Sequence, residues 1–129
     1  MNKVIAFSLW GDNPKYCVGA IRNAQLANQY FPEWVCHFYY DNTVPRIYIK
    51  ALEDFNNVKL IETDSSVFGA FWRFRSMVEG SIVLSRDTDS RLSLRERQIV
   101  DNWSFSDSKL CTIRDHANHY EFPILAGMW

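Results

Sequence analysis

The sequence predicts one α/β domain, with a mostly parallel sheet flanked by helices. Three observations carry this. Short apolar runs of strand length recur along the chain: 4–10, 34–40, 58–62 and 81–85. Stretches with helical spacing separate them, so neighbouring strands must be joined by crossovers rather than hairpins. Acidic and aromatic residues also collect just past the strand ends, where ligands sit in sheets of this kind.

The first strand, Val4 to Trp10, ends in Gly11-Asp12-Asn13-Pro14. Asn13 is placed as a helix cap and Pro14 as the first helical residue. Tyr16, Ala20, Asn23, Ala27 and Tyr30 then repeat at helical spacing until Phe31-Pro32 stops the helix. "WVCHFYY" is the second strand, closed by Asp41-Asn42, and Pro45 opens a second helix running to Phe55. "VKLIE" is the third strand. In "AFWRFRSMV" the spacing places Phe71, Phe74 and Val78 on one helical face, with Arg73 and Arg75 elsewhere. "SIVLS" is the fourth strand and runs into Arg86-Asp87-Thr88-Asp89. Ser93 to Glu96 then spells a capping box, with Ile99, Val100 and Trp103 on the apolar face of the helix it starts. "KLCTIR" (109–114) is read as a fifth strand and "FPILAGMW" (122–129) as a short last one.

Composition limits the function. The chain has 129 residues, enough for one domain, and its 47% apolar content is that of a packed globule. A net charge of −1 argues against a nucleic-acid binder that neutralises many phosphates. Cys17, Cys36 and Cys111 lack metal-site spacing and read as thiols of a reducing compartment. No signal peptide or membrane span is legible, so the expected location is cytoplasmic. The motifs of P-loop nucleotidases, dinucleotide dehydrogenases and serine hydrolases are missing from the sequence.

Strand order gathers Ser8-Leu9-Trp10, Asp41, Asp87-Thr88-Asp89 and Asp115-His116 along one rim. Asp87 and Asp89 are candidate ligands for Mg²⁺ or Mn²⁺, which favour oxygen donors and leave positions for substrate phosphate. The alternative is an acidic turn, with Asp87 capping a backbone N–H and Asp89 paired with Arg91. Asp115 is a candidate general base and His116 or His119 a further metal ligand; the alternative is a polar loop with Asp115 paired to an arginine. Arg73 is either a clamp on phosphate or on an aspartate of the site, or a solvated side chain. Trp10, at a strand end, is the tryptophan best placed to stack on a base or sugar.

"FSLWG", "FYYDNTVP", "GAFWRF", "RDTDSRLSLRERQIVDNW", "IRDHANHY" and "PILAGMW" follow one another in this order. Together they resemble a family of small glycosyltransferases of the GT-A fold, found in large DNA viruses and bacteria. The resemblance implies a GT-A-like (Rossmann-like) sheet, unusually short at 129 residues. It implies a nucleotide-sugar donor, a UDP-sugar by type, and an acceptor hydroxyl on a glycan or other molecule. Ser8, Leu9, Trp10 and Tyr16 match the first strand end and base site, and Asp41 matches a position that holds base or ribose. Arg73 matches the sugar-phosphate side, with Asp87, Thr88 and Asp89 as the metal and diphosphate turn. Asp115 is the implied base if the anomeric centre inverts, and His119 is preferred over His116 as a metal or phosphate contact. So short a chain is read as a very small transferase, a natural truncation or one piece of a larger assembly, in which a partner chain, such as a second copy, could supply the acceptor wall. Two other readings stand beside this one: a nucleotide-sugar binding module without catalysis, and an aspartate-nucleophile phosphatase. The phosphatase fold places its D-x-D on the first strand, whereas here it follows the fourth.

Overall fold

The computed structural model describes residues 2–64, 69–79 and 82–112. The elements run β1 (Lys3–Leu9), α1 (Pro14–Tyr30), β2 (Val35–Tyr40), α2 (Arg46–Glu53) and β3 (Val58–Glu62). A 3₁₀ turn (Gly69–Arg75) then leads into the short α3 (Ser76–Glu79), β4 (Ile82–Ser85) and α4 (Leu94–Ser104). All strand pairs among them are parallel, in the order β3-β2-β1-β4. The class is therefore α/β, as expected. Within the described residues no helix is long and apolar enough to cross a membrane.

Alternation along β1 builds the two layers. Ile5, Phe7 and Leu9 join Cys36, Phe38 and Leu84 in one buried cluster with Ala20, Ala24 and Ala27 of α1, Leu52 of α2 and Val100 of α4. Phe7 and Phe38 stack at 4.7 Å within it. Val4 and Ala6 point the other way, onto Tyr39 and Trp72. Both faces of the sheet are covered, which explains why its central strands read as continuous apolar runs.

The helix starts follow local chemistry. Asn13 Oδ1 accepts from the Lys15 N–H at 3.0 Å, with Pro14 first in α1. Ser93 Oγ accepts from the Glu96 N–H at 3.2 Å at the start of α4. The expected reciprocal half of that capping box differs. The Glu96 carboxylate, nearly buried, instead accepts from Arg86 Nε at 3.3 Å. A buried guanidinium needs a counter-charge more than an exposed cap needs a second bond.

The segment 70–78 also departs from expectation. It begins as a 3₁₀ turn with three residues per turn, which shifts the helical phase. Phe71 is exposed, whereas Trp72, Arg73 and Ser76 are buried. Polar groups on this face of the sheet account for the inversion. Ser76 Oγ meets Tyr39 Oη at 2.5 Å and His37 Nδ1 at 3.2 Å, and the Arg73 N–H donates to Ser8 Oγ at 3.0 Å. Of the fifth strand expected over 109–114, residues 109–112 are described and carry no strand. The last strand expected at 122–129 lies outside the described residues.

Candidate functional site

Strand order fixes where a ligand can sit. From β1 the sheet grows through β2 to β3, and the chain then returns to place β4 on the other side of β1. The crossover loops therefore part beyond the carboxyl ends of β1 and β4, leaving a crevice at the switch point. A cavity of about 280 Å³ lies there, walled by the end of β1 (Ser8, Leu9, Trp10), by Gly11 to Asn13 and Tyr16, and by Arg73, Asp87 and Thr88. These lining residues include every expected donor-site residue except Asp41 and Asp89.

One wall is aromatic. Trp10 is 39% exposed; its ring meets Trp72 edge-on at 6.0 Å and lies against the backbone at Gly69. A Cβ at Gly69 would stand 2.6 Å from Trp10 Cε3, so a larger residue there would displace the indole or the turn. Tyr16, 38% exposed on the first turn of α1, lines the cavity with it. Two rings with free surface beside a polar rim suit a planar base.

The opposite wall is charged and rigid. Arg73 is 5% exposed, and its Nη1 donates to Arg86 O at 2.8 Å and to Asp87 Oδ1 at 2.7 Å. Arg73 is therefore not a solvated side chain; it is buried and paired with Asp87. Its guanidinium ties the 3₁₀ turn to the end of β4, and its main chain ties the same turn to β1 through Ser8. The Asp87 carboxylate keeps 43% side-chain exposure and faces the cavity.

α1 supports the turn that follows. Gly19 lies so close beneath it that a Cβ would stand 1.9 Å from Thr88 O. Asn23, fully buried, donates through Nδ2 to Ser90 O at 2.7 Å and Thr88 O at 3.3 Å. Its Oδ1 accepts from the Leu92 N–H at 3.0 Å. One amide side chain thus bonds three backbone groups of the turn, one of which, Thr88 O, also accepts from Arg91. Asp89 pairs with Lys15 Nζ at 3.4 Å rather than with Arg91, whose Nη1 donates to Thr88 O at 3.2 Å.

Asp41, the position matched to base or ribose, opens the loop after β2. It is buried outside the cavity lining, and its Oδ1 accepts from the Thr43 N–H at 3.0 Å and from the Thr43 hydroxyl. Thr43 Oγ1 in turn accepts from the Gly11 N–H at 2.6 Å. Gly11 has φ +79°, a left-handed conformation that a side chain would strain. Asp41 therefore holds the loop that shapes the cavity, through Thr43, instead of lining it. The remaining expected residues, Asp115, His116 and His119, lie outside the described residues.

Sequence reasoning missed Asn23 and Lys15 as parts of the site and Thr43 as its brace. A buried asparagine within an alanine-rich helical stripe was the available signal for Asn23. A larger recess, about 460 Å³ among the described residues, runs beside β4 and α4. Its walls are chiefly apolar (Met77, Ile82, Leu84, Val100, Trp103), and its Arg86 is already paired with Glu96. It adds Lys109 but no carboxylate, whereas the smaller cavity combines aromatic side chains with charges of both signs and is the better candidate.

Among the described residues no group of three His, Cys, Asp or Glu side chains is placed to hold a metal ion. Two carboxylates on one turn still fit a hard divalent ion, which commonly takes one or two carboxylates and completes its shell with water and ligand phosphate. Each carboxylate has a cation against it, Arg73 on Asp87 and Lys15 on Asp89. Comparisons with family models, curated proteins and solved structures find no match to this chain.

Proposed function

We propose that this chain is a metal-dependent glycosyltransferase of GT-A type that binds a nucleotide-sugar, a UDP-sugar by type, and passes its sugar to an acceptor hydroxyl. The observation that carries this reading is the composition of the switch-point cavity. Aromatic side chains, Trp10 and Tyr16, share it with the Arg73–Asp87 pair and Thr88. In this reading the base lies against Trp10 and Tyr16, and the diphosphate reaches the turn after β4.

The chemistry follows from where charge develops. Breaking the bond between the anomeric carbon and the diphosphate places negative charge on the departing oxygen. Mn²⁺ or Mg²⁺ on Asp87 and Asp89 would supply Lewis-acid stabilisation of that charge. Arg73 contributes a fixed positive charge that needs no reorganisation, because its packing and its two acceptors already hold it. Asn23 and Gly19 keep the turn at a set distance from α1, so the two carboxylates are presented by backbone that does not slide. Asp115 is assigned the acceptor proton by the family resemblance alone. The D-x-D turn follows β4 rather than β1, which counts against the phosphatase reading.

Asp89→Asn tests this with the fold as control. UDP binding in the presence of Mn²⁺, measured by titration calorimetry, should fall by more than tenfold while the unfolding free energy in urea stays within about 0.5 kcal/mol of the parent. Unchanged affinity contradicts the metal role. A parallel assay of UDP-sugar hydrolysis separates enzyme from module, since binding without any turnover would replace the transferase with a binding domain.

A further inference from the structure

The two carboxylates of the D-x-D turn are neutralised in unlike ways. Arg73 on Asp87 is buried and held by two acceptors 2.7 and 2.8 Å away. Lys15 on Asp89 is 62% exposed along its side chain, and its Nζ stands 3.4 Å from one oxygen. A guanidinium so packed is a fixture. An ammonium on a four-carbon stem, with three rotatable donors, can change partner at little cost.

Lys15 is also in an unfavourable place for a helix. It lies in the first turn of α1, where the aligned peptide dipoles present their positive end, and that turn holds no acidic residue. A cation there weakens the helix slightly, so helix formation gives no reason for it. Its ion pair with Asp89 does. The residues on either side of the helix start, Gly11 to Asn13 and Tyr16, line the cavity, and the ammonium stands 5.5 Å from the Tyr16 ring centre.

We propose that Lys15 is a built-in counter-cation of the D-x-D turn: a divalent ion displaces it from Asp89, and the freed ammonium then binds the phosphate of the anionic ligand. This rests on the nucleotide-sugar reading above and adds an order of events to it. Without metal, Lys15 keeps Asp89 from repelling the ligand. With metal, Asp89 is satisfied by the ion and the lysine charge becomes available to the diphosphate, beside Arg73. No net charge is gained or lost by the protein; one cation changes partner.

The consequence is a pair of effects with opposite signs. Lys15→Met removes a competitor from Asp89, so binding of Mn²⁺ alone should tighten. An exposed pair is a weak competitor, and the expected gain is about two- to fivefold. The same substitution removes a phosphate contact, so the Kd for UDP at saturating Mn²⁺ should rise by about three- to tenfold. Both effects should shrink at high salt, and Lys15→Arg should return both values toward the parent. Lys15 is exposed, so the substitution leaves the core untouched.

Calorimetric titration of Mn²⁺ alone, then of UDP at saturating Mn²⁺, on the parent, Lys15→Met and Lys15→Arg decides the matter. Tighter metal with weaker UDP in Lys15→Met supports the exchange. A parent that binds both ligands while Lys15→Met changes neither affinity, or moves both in the same direction, overturns the exchange and leaves the nucleotide-sugar reading standing. A parent that binds neither ligand overturns that reading, and the exchange with it.

Discussion

Gly19→Ala is the sharpest probe of how the turn is held. In an ordinary exposed helix position this change stabilises by about 1 kcal/mol, because alanine loses less backbone entropy on folding. Here the new Cβ would stand 1.9 Å from Thr88 O and 2.9 Å from both Thr88 C and Arg91 Nη1. Real Cβ contacts essentially never fall under 3.0 Å, so helix and turn must separate by roughly 1.1 Å. The nearest obstruction is backbone on the turn side, and cannot rotate away. A shift of that size also breaks the Asn23 bonds to Thr88 O and Ser90 O, now 3.3 and 2.7 Å. Overpacking costs about 1–3 kcal/mol and each lost bond about 1 kcal/mol, against the helix gain of about 1 kcal/mol. The net expectation is a loss of about 2–4 kcal/mol, read as a lower urea midpoint with unchanged slope. UDP affinity in Mn²⁺ should fall with it, since Thr88 lies between the two carboxylates. A variant as stable as the parent, or more stable, would refute the close approach of α1 to the turn.

Thr43→Val removes the hydroxyl that links Asp41 to the Gly11 N–H. It should cost about 1–3 kcal/mol in urea unfolding and weaken ligand binding, while Thr43→Ser restores both; an unchanged midpoint would remove Asp41 from the support of the loop. Thiol labelling checks the packing. Cys17 and Cys36 are fully buried, and burial pushes the Cys36 thiol up to about 12 and raises that of Cys17, so neither should react in the native protein at pH 8. Half-buried Cys111 should label first, with the other two appearing only on unfolding; rapid native labelling of all three would contradict the core described above.

How much was legible in the sequence depended on whether local chemistry or tertiary partners decided the outcome. The central strands β1 and β2 were visible because a sheet buried on both faces demands apolar runs, and the edge strand β3 by its short V-K-L-I-E segment between turns. α1 was visible because Asn13 and Pro14 are themselves the device that starts it. The phase of 70–78 was not, because polar groups across the sheet, on Ser8, His37 and Tyr39, turned Arg73 and Ser76 inward. Glu96 escaped its capping role for a similar reason: Arg86, ten residues earlier, is buried beside it. In the site, strand-end position brought Trp10, Asp87 and Thr88 together, and Arg73 reaches them from the 3₁₀ turn. The difference between Asp41 as a brace and Asp41 as a ligand contact rests on one threonine hydroxyl. That is a distance, and spacing along a chain does not encode it.

The central claim is that Asp87 and Asp89 present a metal to a diphosphate at the β1–β4 switch point. A crystal structure of the protein soaked with Mn²⁺ and UDP tests it most directly. Anomalous density for Mn²⁺ is expected on both carboxylates, with the uracil against Trp10 and Tyr16 and Lys15 turned from Asp89 to a phosphate oxygen. Metal or nucleotide bound elsewhere, with the Lys15–Asp89 pair intact and the switch-point cavity empty, would contradict it.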